Sequence, residues 1–352
     1  MKLVSKQTGL RTALAALALF ALAFFGLSSS VSPADAGSWW NWKKYKAKSF
    51  RRIATFPVFL NTDVDVETVA EIVTATKDGK TLIYTDSETQ NIGFVDITDP
   101  TNPTPKGIVG VHGEPTSVEF AKGYALACVN TSVDFANTSG DLVVIDVATQ
   151  TIVRTIPLGG QPDSIAISPD ERYAAIAIEN ERDEDLGDGA PPQAPPGYVV
   201  VVKLTGAVPS WNAKQVSLVG IPATFPSDPE PEFIDINRHN IAAVTCQENN
   251  HVVLIDLRTR KVVGDFSCGT VSLDCIDTVE DELVTLDGSF VARPREPDAV
   301  TWLDSFRLAT ADEGDLDGGT RGFTIFRYDG KVLYESGNSV DLLTVRLGHY
   351  PE

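Results

Sequence analysis

Pro162-Asp163-Ser164-Ile165-Ala166-Ile167-Ser168-Pro169-Asp170-Glu171-Arg172-Tyr173-Ala174-Ala175-Ile176-Ala177-Ile178 reads as a short strand, a tight turn and a second strand. Proline sets φ for a turn and Asp bonds the backbone two residues on, so Pro169–Arg172 separates Ser164–Ser168 from Tyr173–Ile178. Tyr198–Lys203 and Gln215–Val219 supply a third and a fourth β-branched run, which makes residues 159–220 an antiparallel four-stranded meander.

The same pattern recurs through the chain. Gly113-Glu114-Pro115-Thr116-Ser117-Val118, Asp228-Pro229-Glu230-Pro231-Glu232-Phe233-Ile234 and Arg295-Glu296-Pro297-Asp298-Ala299-Val300 each open a comparable unit. Five units are visible, over about residues 68–111, 112–158, 159–220, 228–268 and 295–336, with inserts at 181–197 and 267–294. Pro115 and Pro162 stand about 47 residues apart, the length of one propeller blade. A lone meander cannot cover both its faces, whereas radially stacked meanders cover one another. An all-β fold is expected, a β-propeller of four-stranded antiparallel blades over residues 54–352. Either Ala54–Leu60 supplies a strand that closes the ring, or the chain is a fragment whose ring is left open.

The ends and the charge bear on compartment. Lys2, Lys6 and Arg11 precede an apolar run from Thr12 to Leu27, and Ala34-Asp35-Ala36 follows as a cleavage pattern. Residues 1–36 therefore read as a secretory signal, the run being shorter than the ~20 residues that span a bilayer. A secreted, periplasmic or cell-surface protein is expected, with no transmembrane segment after cleavage. Residues 37–53 form a tail in which Trp39, Trp40, Trp42, Tyr45 and Phe50 interleave with Lys43, Lys44, Lys46, Lys48, Arg51 and Arg52, a composition suited to anionic lipid or cell-wall polymer. The net charge of −19 excludes nucleic-acid backbone binding as the main function. Cys128 and Cys246 occupy like places in non-adjacent units and read as buried thiols, while Cys268 and Cys275 are near enough in sequence to bridge.

Antiparallel order places the loop entering strand one and the connection from strand two to strand three at the same end of every blade. That end collects His112, Glu114, Asp163, Glu232, Arg295 and Asp298 from the entering loops. Asp86, Glu88, Asn130, Glu179, Glu181, Arg182, Glu248, Asp312, Glu313 and Asp315 come from the second connections, with Asp317 just beyond. Carboxylates gathered at one mouth repel one another, and a hard cation relieves this. Calcium, which takes six to eight oxygen ligands, is the expected cofactor. Glu179, Glu181, Glu248, Asp312, Glu313, Asp315 and Asp317 are its candidate ligands, and Glu114, Asp163, Glu232 and Asp298 form a ligand-binding rim. The four histidines are too dispersed for zinc. Asp96, Asp146 and Asp256 recur after strand three at the opposite end, where bonding to turn backbone accounts for them.

The Pro162–Asp170 stretch resembles the YVTN type of propeller repeat. Leu308-Ala309-Thr310-Ala311-Asp312-Glu313-Gly314-Asp315, Pro294–Ala299, and Ser336–Ser339 preceding Arg346–Glu352 resemble the bacterial choice-of-anchor I propellers over about residues 55–352. Those are often labelled alkaline-phosphatase-like or phytase-like and are related to cell-surface glycoproteins of biomineralising animals. The family's chains continue beyond the equivalent of Arg346–Glu352 into further blades. Two functions follow as expectations. One is a calcium-binding recognition or surface-scaffold module for a small anionic ligand, a cell-surface polymer or a protein. The other is a calcium-dependent phosphoester hydrolase with Arg182, Arg295 and His112 as the available positive or proton-transferring groups.

Overall fold

The computed structural model describes residues 51–279, 283–314, 316 and 321–348, so the signal, most of the basic aromatic tail, Asp315 and Asp317 lie outside the described residues. The chain divides into residues 1–55 and 56–352. Residues 51–55 carry no regular secondary structure, and all that follows concerns the second unit.

Five four-stranded antiparallel sheets follow one another along the chain, each in sequential strand order. Blade one holds β1 (Ala70–Ala75), β2 (Thr81–Asp86), β3 (Asn91–Asp96) and β4 (Thr104–Gly110), and blade two holds β5 (Glu114–Ala121), β6 (Tyr124–Asn130), β7 (Gly140–Asp146) and β8 (Thr151–Pro157). Blade three is β9 (Pro162–Ile167), β10 (Tyr173–Ile178), β11 (Tyr198–Lys203) and β12 (Ala213–Ser217), and blade four is β13 (Pro231–Ile236), β14 (Ile241–Cys246), β15 (His251–Asp256) and β16 (Lys261–Ser267). A two-stranded hairpin, β17 (Thr270–Ile276) with β18 (Gly288–Pro294), precedes blade five: β19 (Pro297–Trp302), β20 (Arg307–Asp312), β21 (Gly322–Arg327) and β22 (Val332–Glu335). Helix α1 (Ser339–Leu347) follows and packs on β21. The first strands β1, β5, β9, β13 and β19 adjoin in that order and form the inner wall, which is the propeller arrangement.

Burial explains the unbroken apolar runs of the middle strands. In blade three, Ala174, Ile176, Ile178, Val200 and Val202 face blade two and pack with Leu126, Leu142 and Val144. The alternate residues Ala175, Val199 and Val201 face blade four and pack with Ile234, Val244 and Val253. A sheet buried on both faces has no position left for a polar alternation. Like clusters join blade one to two and blade four to five. Among the described residues no core cluster joins blade five to blade one.

The repeated proline has a mechanical role. A Cβ built on Gly140, at the head of β7, would lie 2.3 Å from the Pro162 ring of the next blade, and one on Gly197 would lie 2.4 Å from the Pro231 ring. Pro162 and Pro231 thus seat against a bare glycine backbone of the preceding blade, which sets the spacing at those two interfaces.

One expectation is corrected and two are made definite. Ala54–Leu60 is not a closing strand: Val58–Asn61 forms a 3-10 turn, and Asn61 bonds Tyr84, Phe94 and Gly107 within blade one. The 267–294 insert is an additional hairpin with its own small core of Val271, Leu273, Ile276 and Phe290. All four cysteines are free, with Cys128, Cys246 and Cys268 buried and Cys275 exposed, so Cys268 and Cys275 are unbridged. Asp96, Asp146 and Asp256 accept backbone N–H bonds from the turns that follow them.

Gly140→Ala and Gly197→Ala are each expected to destabilise the protein by about 1–3 kcal/mol through overpacking at a blade interface. Val153→Ala, on an exposed face of β8, changes stability by less than about 0.5 kcal/mol. Urea-unfolding midpoints of the three variants check this, and equal midpoints for all three would contradict the spacing role.

Candidate functional site: an acidic axial mouth

A β-bulge interrupts every inner strand at the same place. Register shifts fall between Ala70 and Val73, Pro115 and Ser117, Pro231 and Ile234, and Pro297 and Ala299, and β9 shifts just after Pro162. A bulge takes a residue out of the ladder and re-aims its side chain. The residues that occupy the bulge are Glu71, Thr116, Asp163, Glu232 and Asp298. In blades one and four a threonine of the partner strand fills the gap, with Thr85 and Thr245 hydroxyls accepting the N–H of Ile72 and Phe233. A second tier lies where strand two of each blade ends: Ser87, Asn130, Glu179, Gln247 and Glu313. The backbone N–H groups of Ser87, Glu179 and Glu313 bond back to Val69, Gln161 and Glu296, which holds the tiers together.

These side chains, remote in sequence, meet near one axis. Burial, then repulsion by Glu181 and Glu71, pushes Asp163 up to about 7. Burial, then repulsion by Glu313, Asp163 and Glu248, takes Asp298 to about 8. Glu232 rises well above the carboxylate range through burial and the charges of Asp298, Glu248, Glu179 and Asp163. Glu179 does so through burial and Asp163, Glu181, Glu248 and Glu230. The amide of Gln247, oriented so that its nitrogen donates, reaches Glu232 at 2.6 and 2.9 Å.

Of the residues expected at the mouth, Asp163, Glu179, Glu181, Glu232, Glu248, Asp298 and Glu313 are brought together. Glu114 stands exposed beside them, close enough to act on Glu71 and Glu181, and His112 is exposed on the same entering loop. Asp315 and Asp317 lie outside the described residues. Asp312 is elsewhere: it is buried within blade five, where Thr310 and Thr324 donate to its two oxygens at 2.7 and 2.6 Å. Burial raises it to about 7.

The arginines are structural. Arg182 is buried, with Nη1 2.6 Å from Glu248 and 3.5 Å from Glu230, and Nε donating to the Gly189 carbonyl. Arg295 donates to the Cys268 carbonyl and pairs with Glu335, clamping the hairpin onto the last strand of blade five. Neither guanidinium is presented to a ligand at the mouth.

Two groups escaped the sequence reading. Glu71 completes the bulge tier, but Ala70 stands where the other inner strands have proline, so the repeat comparison passed over it. Glu230, 1% exposed, is pushed up to about 9 by burial and by Glu248 and Asp228, with Arg182 opposing. Its signal was Asp228-Pro229-Glu230, two acids ahead of the repeat proline.

An all-β propeller unit of four-stranded blades with an acidic axial mouth is the class that fold and site define. The choice-of-anchor I domain model matches residues 71–318, and the chain belongs to that family, a module of secreted or cell-surface proteins. No curated protein matches. A chain in a crystal structure of a mitotic checkpoint complex is similar in fold, with a TM-score of 0.51 at 9% identity over 78% of this chain and 66% of that one. At that identity the likeness speaks of the fold alone. No helix among the described residues is long and apolar enough to cross a membrane.

A carboxyl that is more easily protonated in the folded state than in the unfolded chain weakens folding as pH rises. Below about pH 4 both states are protonated and Asp298 contributes nothing; the penalty grows to full size as pH passes about 8. Thermal stability is therefore expected to fall from pH 5 to pH 9 at low calcium. Asp298→Asn, read as melting temperature against pH, should flatten that slope, and an unchanged slope would show that burial and its neighbours do not disfavour the charged form of Asp298.

Proposed function

We propose that this chain is a secreted or surface-attached YVTN-type recognition module whose axial mouth binds a cation, with calcium held through its hydration shell as the leading candidate. The carrying observation is the bulge tier: Glu71, Asp163, Glu232 and Asp298 are aimed inward from four blades, with Glu179 and Glu313 behind them. Mutual repulsion of this kind is relieved by a positive ligand. The donors are carboxylates with an amide nearby, the hard oxygen set that suits calcium in kind. In spacing they fall short of direct chelation, since among the described residues no three His, Cys, Asp or Glu side chains are grouped to hold a metal ion. Binding through water fits both facts. A ligand bridged by such an ion, anionic or polymeric, would then be recognised at the same mouth.

The phosphoester-hydrolase reading draws less support, because Arg182 and Arg295, its expected phosphate-binding groups, are held in internal ion pairs.

Saturating calcium is expected to raise the melting temperature of the protein by several degrees. The calcium-induced rise, rather than the baseline, should shrink in Glu232→Gln and in Asp163→Asn. No rise across millimolar calcium, or a rise of equal size in both variants, would overturn the reading. Calcium-dependent turnover of p-nitrophenyl phosphate that is lost in Glu313→Ala would move the assignment to the hydrolase.

A further inference from the structure

Beside the mouth lies a cleft of ≈ 390 Å³ between the β6–β7 loop of blade two and the 181–197 insert of blade three, lined by Phe135, Asn180, Glu181, Asp183, Leu186 and Gln193 among others. That volume is in the range of pockets that take small ligands or single side chains. Each wall carries one large apolar side chain among polar ones: Phe135 is 42% exposed and Leu186 62% exposed. Neither side chain belongs to a core cluster between blades.

The insert that forms one wall is firmly held. Gln193 bonds both backbone groups of Asp183 through its side chain, at 3.0 Å each, and its own N–H donates to Asp228 at 2.6 Å. Asn180 donates to the Pro196 carbonyl, and the Gly197 N–H to that of Pro229. The opposite wall is braced by Asp134, whose carboxylate accepts from Asn137 and from the Ala136 N–H. The site is thus largely pre-formed, which lowers the entropy cost of binding.

Its charge is negative. Arg182 lines the floor, but its guanidinium is turned to Glu248 and Glu230. Glu181 and Asp183 each commit an oxygen to a neighbour, Gln161 and the Asp185 N–H respectively, and face a cleft that also holds Asp134. Carboxylates and the apolar side chains of Phe135 and Leu186 line the same cleft, a combination that matches a positive head on a hydrocarbon chain, because long amines bury the stem and pair the head. An anion would meet repulsion here.

We propose that this cleft is a second binding site, adjoining the axial mouth and sharing Glu181 with it, that takes an alkylammonium group: the lysine side chain of a partner protein or a free polyamine. Phe135 and Leu186 pack the methylene chain, and Glu181 with Asp183 pairs the ammonium.

Calorimetric titration of the whole protein in saturating calcium, so that the mouth is filled, tests this. The probes are a short end-blocked alanine peptide with one lysine, the same peptide with acetyl-lysine, and spermidine. Saturable binding of the lysine peptide is expected, weakened about tenfold or more by acetylation and by the paired Glu181→Gln and Asp183→Asn changes. Phe135→Ser, at an exposed position, should weaken it with the circular dichroism spectrum unchanged. Tighter binding of the peptide than of spermidine assigns the site to a protein lysine, and the reverse to a polyamine. Equal binding of the acetylated peptide, no saturable binding of either amine, or indifference to all three substitutions would overturn the proposal. Glu232→Gln separates the two sites, since it should reduce the calcium response and leave amine binding intact.

Discussion

The two-to-one bulge at the head of each inner strand is the constraint on which the site depends. A regular ladder would send successive side chains alternately to the two faces of a blade, both of which are already filled by neighbours. Taking one residue out of register frees a direction that a regular strand does not have, toward the axis. Thr85 and Thr245 show how the backbone tolerates this, since their hydroxyls accept the N–H that the ladder has lost. An acid placed at the bulge is thereby kept out of the apolar interfaces and exposed to its counterparts from other blades.

That placement carries an electrostatic cost. Asp163, Glu232 and Asp298 titrate higher than ordinary carboxyls chiefly because protein surrounds them, and only secondarily because of one another. Replacing such groups with amides would make a more stable fold, so their presence points to work other than folding. The contrast with Asp312 is instructive. It is as buried as its neighbours, yet two threonine hydroxyls satisfy it, and it serves blade five internally.

The strands were legible because turns and apolar runs are local signals. The predicted Tyr173–Ile178 and Tyr198–Lys203 coincide with observed strands, and the predicted Gln215–Val219 falls two residues beyond Ala213–Ser217. The common end of the acidic loops was legible too, since antiparallel order alone decides it. What escaped depends on contacts between distant segments. Nothing local distinguishes Arg182, which finds Glu248 in another blade, from an arginine at a ligand site. The hairpin at 270–294 was hidden because its strands bury little: Val291 is 80% exposed, and its pattern resembles that of a loop. Glu71 was hidden by a missing proline, and α1 by lying beyond the last repeat.

The way the apolar clusters are shared has a further consequence. Each one joins a blade only to the next, from one through five, so the unit behaves as a linear stack in which stability passes between nearest neighbours. Among the described residues, blades two, three and four share an apolar cluster with a neighbour on both sides, and the first and last with a neighbour on one. Local opening should then begin at the outer members and run inward, leaving amide protons of β10, β11, β14 and β15 the slowest to exchange with solvent.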